Sequence, residues 1–221
     1  MKKNYVSNSE ESSRMFKSSL FESLSKVHFS VPLFIYIPII LFFSYLAFSN
    51  AIGIWMYILY FAIGLAVWTI TEYLLHRFVF HFHPTSEWGK RIHFIFHGVH
   101  HDYPRDKKRL VMPPSASIPL AALFYFLFSL IFTNVHLYAF FPGFLLGYLI
   151  YDMLHYAMHH YNFKSGIMKR IKQHHMLHHY QEPTKGFGVS SSLWDEILRS
   201  GFEKAKTTTT TLQQPVKVNE Q

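Results

Sequence analysis

Cysteine is absent from the 221 residues of this chain, which excludes both disulfides and thiolate metal sites. Charge is also scarce: 15% of residues are Asp, Glu, Lys or Arg, against roughly a quarter in an ordinary soluble domain. The scarcity is concentrated in two places. No formal charge lies between Lys26 and Glu72, and none between Arg109 and Asp152. Three motifs are missing as well: H-E-x-x-H, a glycine-rich phosphate loop and a Ser-His-Asp arrangement. Their absence argues against zinc-peptidase, P-loop and triad chemistry.

Each uncharged stretch is about twice the ~20 residues that cross a bilayer once, so each reads as two spans joined by a tight turn. Turn signals fall near the middle of each stretch, at Ser49-Asn50 with Gly53 and at Thr133-Asn134. The expected spans are 31–49, 52–75, 114–133 and 137–158. The first begins too far into the chain, and is too long, for a cleavable signal peptide. The paired prolines of "VMPPSASIP" (111–119) mark re-entry into the membrane, because proline is tolerated in the first turn of a helix.

The net charge of +8 could suggest nucleic acid, but its distribution excludes that partner. All 21 Lys and Arg fall in 1–30, 72–110 or beyond 160, and none lies in the two inter-span turns. Four spans put those segments on one face, which the positive-inside rule makes cytoplasmic. Both termini are then cytoplasmic, in a bacterial inner membrane or the endoplasmic reticulum. Three divisions follow: a polar N-terminal tail or surface helix (1–30), a membrane domain (31–200) and a low-complexity tail (201–221) expected to be disordered.

What the sequence has in abundance is histidine, sixteen in all. Apart from His28 and His136, every one lies at or below the cytoplasmic ends of spans two to four. Ten form four groups: His76 and His81 in "HRFVFH"; His97, His100 and His101 in "HGVHH"; His155 and His159 in "HYAMH"; His175, His178 and His179 in "HMLHH". Residues three and four apart share a helix face, so each His-x-x-His-His sets its first ring beside both later ones. Neutral imidazole is the commonest nitrogen ligand and suits zinc and iron. Ten ligands exceed the capacity of one ion and argue for two metals with about five each. His28, His83, His93, His136, His160 and His174 stand outside the groups and are read as interfacial polar residues.

Carboxylates are few. Glu72 lies four residues before His76, and Asp152 three before His155. Each is a candidate to accept the outer N–H of its histidine, with Asp102 beside His101 a weaker third. The alternative for these carboxylates is plain interfacial charge or helix capping. Asp195 in "SLWDEIL" stands too far from the groups to be assigned a role.

A histidine-only two-metal site at a membrane face suits metal–oxygen chemistry on a lipid, because breaking an unactivated C–H bond needs an oxidant formed from metal and O₂. The order H-x₄-H, H-G-x-H-H, H-x₃-H, H-x-x-H-H resembles the fatty acid hydroxylase superfamily. Within it, "EYLLHRFVFH", "HFIFHGVHHDYPRDKKRLVMPP", "YDMLHYAMHH" and "HHMLHHYQEPTKGFGVSSSLWDEI" resemble the fatty acid 2-hydroxylases of sphingolipid acyl chains, over roughly 70–200.

The resemblance implies an all-α integral membrane protein, with four transmembrane helices and a cytosolic helical cap around a dimetal centre. By position it gives His76, His81, His97, His101 and His178 to one metal, and His100, His155, His159, His175 and His179 to the other. It implies iron for the chemistry, with zinc also found in the family, and O₂ as co-substrate. The substrate would be a long acyl chain, free or in a ceramide. Sterol desaturation or oxidation and carotenoid hydroxylation are the alternatives within the superfamily. A histidine-rich metal carrier would need ligands near mid-membrane rather than at one surface. Many fungal and animal relatives carry an N-terminal cytochrome-b5-like domain, for which this chain has no room. The two electrons are then expected from a separate donor: a cytochrome-b5-like protein, a ferredoxin or a reductase.

Overall fold

The computed structural model describes residues 6–203, all of whose regular elements are helical. In chain order these are α1 (Ser19–Leu24), α2 (Val31–Ser49), α3 (Ile54–Leu74), α4 (Glu87–His93), α5 (Val99–Asp102), α6 (Pro114–Ser129), α7 (Asn134–His160), α8 (Gly166–Tyr180) and α9 (Leu193–Ile197). Two π-helical turns extend this set: Leu75–Phe80 continues α3, and Phe94–Gly98 joins α4 to α5.

Among the described residues, three helices are long and apolar enough to cross a membrane: α2, α3 with its π turn, and α7. The fourth expected span is shorter than 114–133. Here α6 has 16 residues, or about 24 Å at 1.5 Å per residue, against a hydrocarbon core of ~30 Å. The first two hairpin helices are joined by the turn at Asn50–Gly53, where Ala51 takes φ 58°.

Of the four, α7 is the axis. Much of its length is buried, from Leu137 to Met158, whereas α2 and α3 show apolar side chains such as Phe34, Tyr45 and Trp55 outward. Two glycines explain how closely α3 and α7 pack. A Cβ at Gly64 would overlap the carbonyl oxygen of Phe140, and one at Gly143 would overlap that of Phe61. Small residues let helix backbones approach where lipid tails remove the hydrophobic drive for association. Trp68, Phe140, Phe144 and Tyr148 fill the adjoining space.

Below the membrane helices, α4, α5, α8 and α9 form a cap over the feet of α3 and α7. The segment before α2, expected as a loose tail or surface helix, is docked. Ser7 N donates to Asp102 O at 2.7 Å, Ser12 N to Asp106 Oδ2 at 2.9 Å, and Val27 N to Lys108 O at 2.9 Å. Arg109 donates to Glu22 Oε1 at 2.5 Å and to Ser25 Oγ at 3.0 Å. Of the expected C-terminal tail, 204–221 lie outside the described residues, while Phe202 packs its ring on His174 at 5.2 Å.

Candidate metal centre

The ten grouped histidines converge in the cap as two sets of five. His76, His81, His97, His101 and His178 form one; His100, His155, His159, His175 and His179 form the other. Within each set the ligand nitrogens all lie within 4.8 Å of one another. The sets adjoin, since the rings of His101 and His179, one from each, stack at 4.1 Å. None of the six histidines left outside the groups enters either set. His136 bonds Thr133 and stacks on Tyr60 at the far end of α7, and His174 bonds Asp195.

Local structure positions each ring. His76 and His81 are five apart, which on an α-helix would turn them about 140° from each other. The π turn removes the mismatch: His81 N donates to His76 O at 3.1 Å, an i→i+5 bond, and the two rings lie 4.9 Å apart. In each His-x-x-His-His the outer pair joins one set and the middle ring the other. Helical geometry separates positions i+3 and i+4 by about 100°, so the adjacent histidines diverge toward different sets.

The nitrogens that converge are Nε2. His76 and His97 approach at 3.0 Å, His97 and His101 at 3.1 Å, and His81 and His178 at 3.0 Å. In the second set, His100 and His155 stand at 2.9 Å, His100 and His179 at 3.1 Å, and His159 and His175 at 2.9 Å. Two tautomers follow from outer partners. His76 Nδ1 lies 2.6 Å from Phe187 O, and His178 Nδ1 2.7 Å from Lys185 O. Carbonyls only accept, so each Nδ1 carries the proton and each Nε2 a lone pair.

Burial, with the neighbouring rings, holds His97, His100, His101, His175 and His179 well below the ordinary histidine range. It lowers His178 to about 4. The rings are therefore neutral at pH 7, and His76 and His178 at least turn a lone pair inward, among nitrogens all within 4.8 Å of one another. A cation at the centre of each set would meet such lone pairs, and five imidazole nitrogens suit a first-row divalent ion. Both sets fit a metal ion.

The carboxylates behave differently from the expectation. No hydrogen bond joins Glu72 to His76. Its carboxylate accepts Val189 N at 2.9 Å, Ser190 N at 2.7 Å and Ser190 Oγ at 2.6 Å. It thereby holds the loop whose Phe187 carbonyl meets His76. Asp152 accepts Met112 N at 3.2 Å and the Tyr148 hydroxyl at 2.9 Å, not His155. Both carboxylates face backbone donors that a reading by sequence separation could not see. The carboxylate of Asp102 makes no hydrogen bond among the described residues, while its carbonyl accepts from Ser7 N. Asp195, assigned no role from sequence, is fully buried and accepts from Phe187 N, Gly188 N, Ser200 Oγ and His174 Nε2. The glycines of "KGFGVSSS" (185–192), five residues beyond "HMLHH", are a signal of a tight loop, though not that its carbonyls reach back to the rings.

A cavity of about 650 Å³ opens beside the centre. His97 of the first set and His100 and His155 of the second line it, together with Asp152 and Arg109. Val79 and Leu123, from the π turn after α3 and from α6, and Phe16 and Leu24 of the N-terminal segment give it apolar walls.

The fatty acid hydroxylase family model matches residues 61–200. The chain is 36% identical to dihydroceramide fatty acyl 2-hydroxylase FAH2 of Arabidopsis thaliana, over 85% of this chain and 79% of that protein. It is 38% identical to the ceramide very long chain fatty acid hydroxylase SCS7 of Saccharomyces cerevisiae, over 81% of this chain and 47% of the yeast protein. Among solved structures, full-length scs7p, with only its hydroxylase domain visible, superposes with a TM-score of 0.80 at 37% identity. That match covers 85% of this chain and 71% of the other.

Proposed function

Because this chain belongs to the fatty acid hydroxylase family, we propose that it hydroxylates C2 of a long acyl chain, free or amide-linked in a ceramide, at a two-metal centre. The observation that carries the reading is the cavity. It is lined by histidines of both sets and has apolar walls continuous with the membrane helices, and its volume lies within the ~300–1,000 Å³ of small-molecule sites. A lipid drawn from the bilayer would set its polar head and C2 against the rings, with its tail along Val79 and Leu123.

His76, His81, His97, His101 and His178 would hold one ion, and His100, His155, His159, His175 and His179 the other. Iron is the metal expected for the reaction, and zinc is a possible resident. Bound iron supplies the redox chemistry with O₂ that an unactivated C–H bond demands. The reaction balances as R–CH₂–CO–X + O₂ + 2e⁻ + 2H⁺ → R–CHOH–CO–X + H₂O. The chain's own contribution is to orient the substrate and exclude bulk water. The N-terminal segment closes one side of the cavity, fastened by Glu22 and Arg109.

The protein is a membrane protein. Four crossings with the cap and both ends cytoplasmic are supported by the placement of every Lys and Arg outside the two inter-span turns. The short α6 would then be accommodated by local thinning of the bilayer. Electrons would come from a separate donor. Exposed Lys169 and Arg170 lie on α8, which also carries His175, His178 and His179, and they would attract an acidic one. Expression with a reductase system, followed by mass spectrometry of membrane lipids, tests the proposal. New 2-hydroxy acyl species are expected. Their absence from a metal-loaded protein that consumes O₂ would overturn it.

A further inference from the structure

What stands behind the rings differs between the two sets. In the first, His76 and His178 donate from Nδ1 to Phe187 O and Lys185 O. In the second, Nδ1 of His100, His155, His175 and His179 is buried with no hydrogen-bond partner among the described residues. Both accepting carbonyls belong to one loop, and two buried carboxylates grip four successive N–H groups of that loop. Phe187 N and Gly188 N meet Asp195 at 2.9 and 2.7 Å; Val189 N and Ser190 N meet Glu72 at 2.9 and 2.7 Å.

Covalent connectivity singles out one of these contacts. The carbonyl of Phe187 and the N–H of Gly188 are the two ends of a single conjugated peptide group. A carboxylate on the N–H end pushes electron density toward the oxygen, which becomes a stronger acceptor for His76 Nδ1–H. Hydrogen bonds in such a chain polarise one another. The Lys185 carbonyl shares its peptide with Gly186 N–H, whose acceptor is only the neutral carbonyl of Ser200 at 2.9 Å. The peptides that Glu72 holds present the carbonyls of Gly188 and Val189, and no hydrogen bond joins either to a histidine. Asp195 carries a full charge at neutral pH. Burial raises its pKa, but the bonds from His174, Gly188, Ser200 and Phe187 outweigh burial and leave it below the ordinary carboxylate range.

We propose that Asp195, acting on His76 through the Phe187–Gly188 peptide, is a positioning residue that makes the first set the tighter and more electron-donating of two unequal metal sites. A carboxylate directly on a ligand's outer N–H is a common tuning device in metal sites; here one peptide group is interposed. The second set, in which four of five outer nitrogens are buried without partners among the described residues, releases its ion first. This inference rests on the two-metal reading above.

Cobalt(II) serves as the probe, with the full chain in detergent loaded to two ions and mixed with excess chelator. Visible absorption should decay in two phases. His159→Ala should abolish the fast phase and His81→Ala the slow one. Asp195→Asn should accelerate the slow phase about 10–100-fold, the usual cost of losing an outer-shell partner. It should also shift the absorption band lost in that phase, a ligand-field change that a purely structural role would not produce. Glu72→Gln should alter the slow phase less. A single phase in the native protein, the reverse assignment, or a slow phase and band unmoved in Asp195→Asn would each overturn the inference while leaving the two-metal reading intact. If Asp195→Asn does not fold, the order of release in the native and histidine-substituted proteins still decides. A chain that retains no cobalt overturns both readings together.

Discussion

The amide of His81 donates to the carbonyl of His76 across five residues, at 3.1 Å, and so brings two imidazoles that an α-helix would point apart into one set of five. This π turn sits where α3 leaves the membrane helices, and a second one, Phe94–Gly98, carries His97. Single-turn π segments inside helices cost hydrogen-bond quality and recur at functional sites. Here they set ring direction, which the cluster geometry requires to be correct for five nitrogens at once.

His100→Ala and His178→Ala should each abolish 2-hydroxy product, a loss beyond the ~10–100-fold typical of outer-shell changes. Metal content should fall below two ions per chain in both. His136→Ala, at the opposite end of α7, should leave product and metal unchanged. Normal turnover in His178→Ala would remove that residue from the ligand set.

Chelation should lower thermal stability, because removing the ions leaves converging lone pairs without a counter-charge. A ligand at a thousand times its dissociation constant stabilises by about 4 kcal/mol per site. Scanning calorimetry before and after dialysis against chelator, then after adding iron back, measures the effect. An unchanged transition would count against metal in these clusters.

Gly143→Val should destabilise the protein by about 1–3 kcal/mol, the usual range for overpacking, because its Cβ would overlap the Phe61 carbonyl and force α3 from α7. Gly53→Ala makes a matched comparison, since an added Cβ there meets nothing within 4 Å. Denaturant titration in detergent should separate the two variants. Equal stability would mean that the helices are less closely coupled than the backbone distances imply.

Glu22→Gln should loosen the N-terminal segment, since Glu22 holds the Arg109 guanidinium at the cavity wall. A hydrogen bond between charged groups contributes about 1.5–3 kcal/mol, so opening should rise by roughly tenfold or more. Faster tryptic cleavage after Arg14 or Lys17 is expected, together with a raised KM and a smaller change in kcat. Unaltered cleavage would show that the other contacts of this segment suffice to hold it.

Much of the site was legible because its chemistry is carried by one residue type at helical spacing. His97 and His101, His155 and His159, and His175 and His179 are all four apart, and each pair does share a set. Less legible were the carboxylates. Glu72 and Asp152 stand one turn from a histidine, and proximity along a helix suggested direct bonds. In the fold both accept from backbone and hydroxyl donors instead, and the rings meet carbonyls or, among the described residues, no outer partner.

By itself the sequence determined the long apolar helices and the grouping of ten histidines as candidate ligands. Long uncharged runs have one low-energy environment, and ten histidines at helical spacing on one face have few uses other than metal. The tertiary structure decided the direction of each ring, the partition of the inner nitrogens into two sets, and the proton positions on His76 and His178. Those depend on atoms far along the chain, the Phe187 carbonyl lying 111 residues from His76. A hydrogen bond of 2.6 Å is a statement about position in space, which spacing along a helix cannot supply.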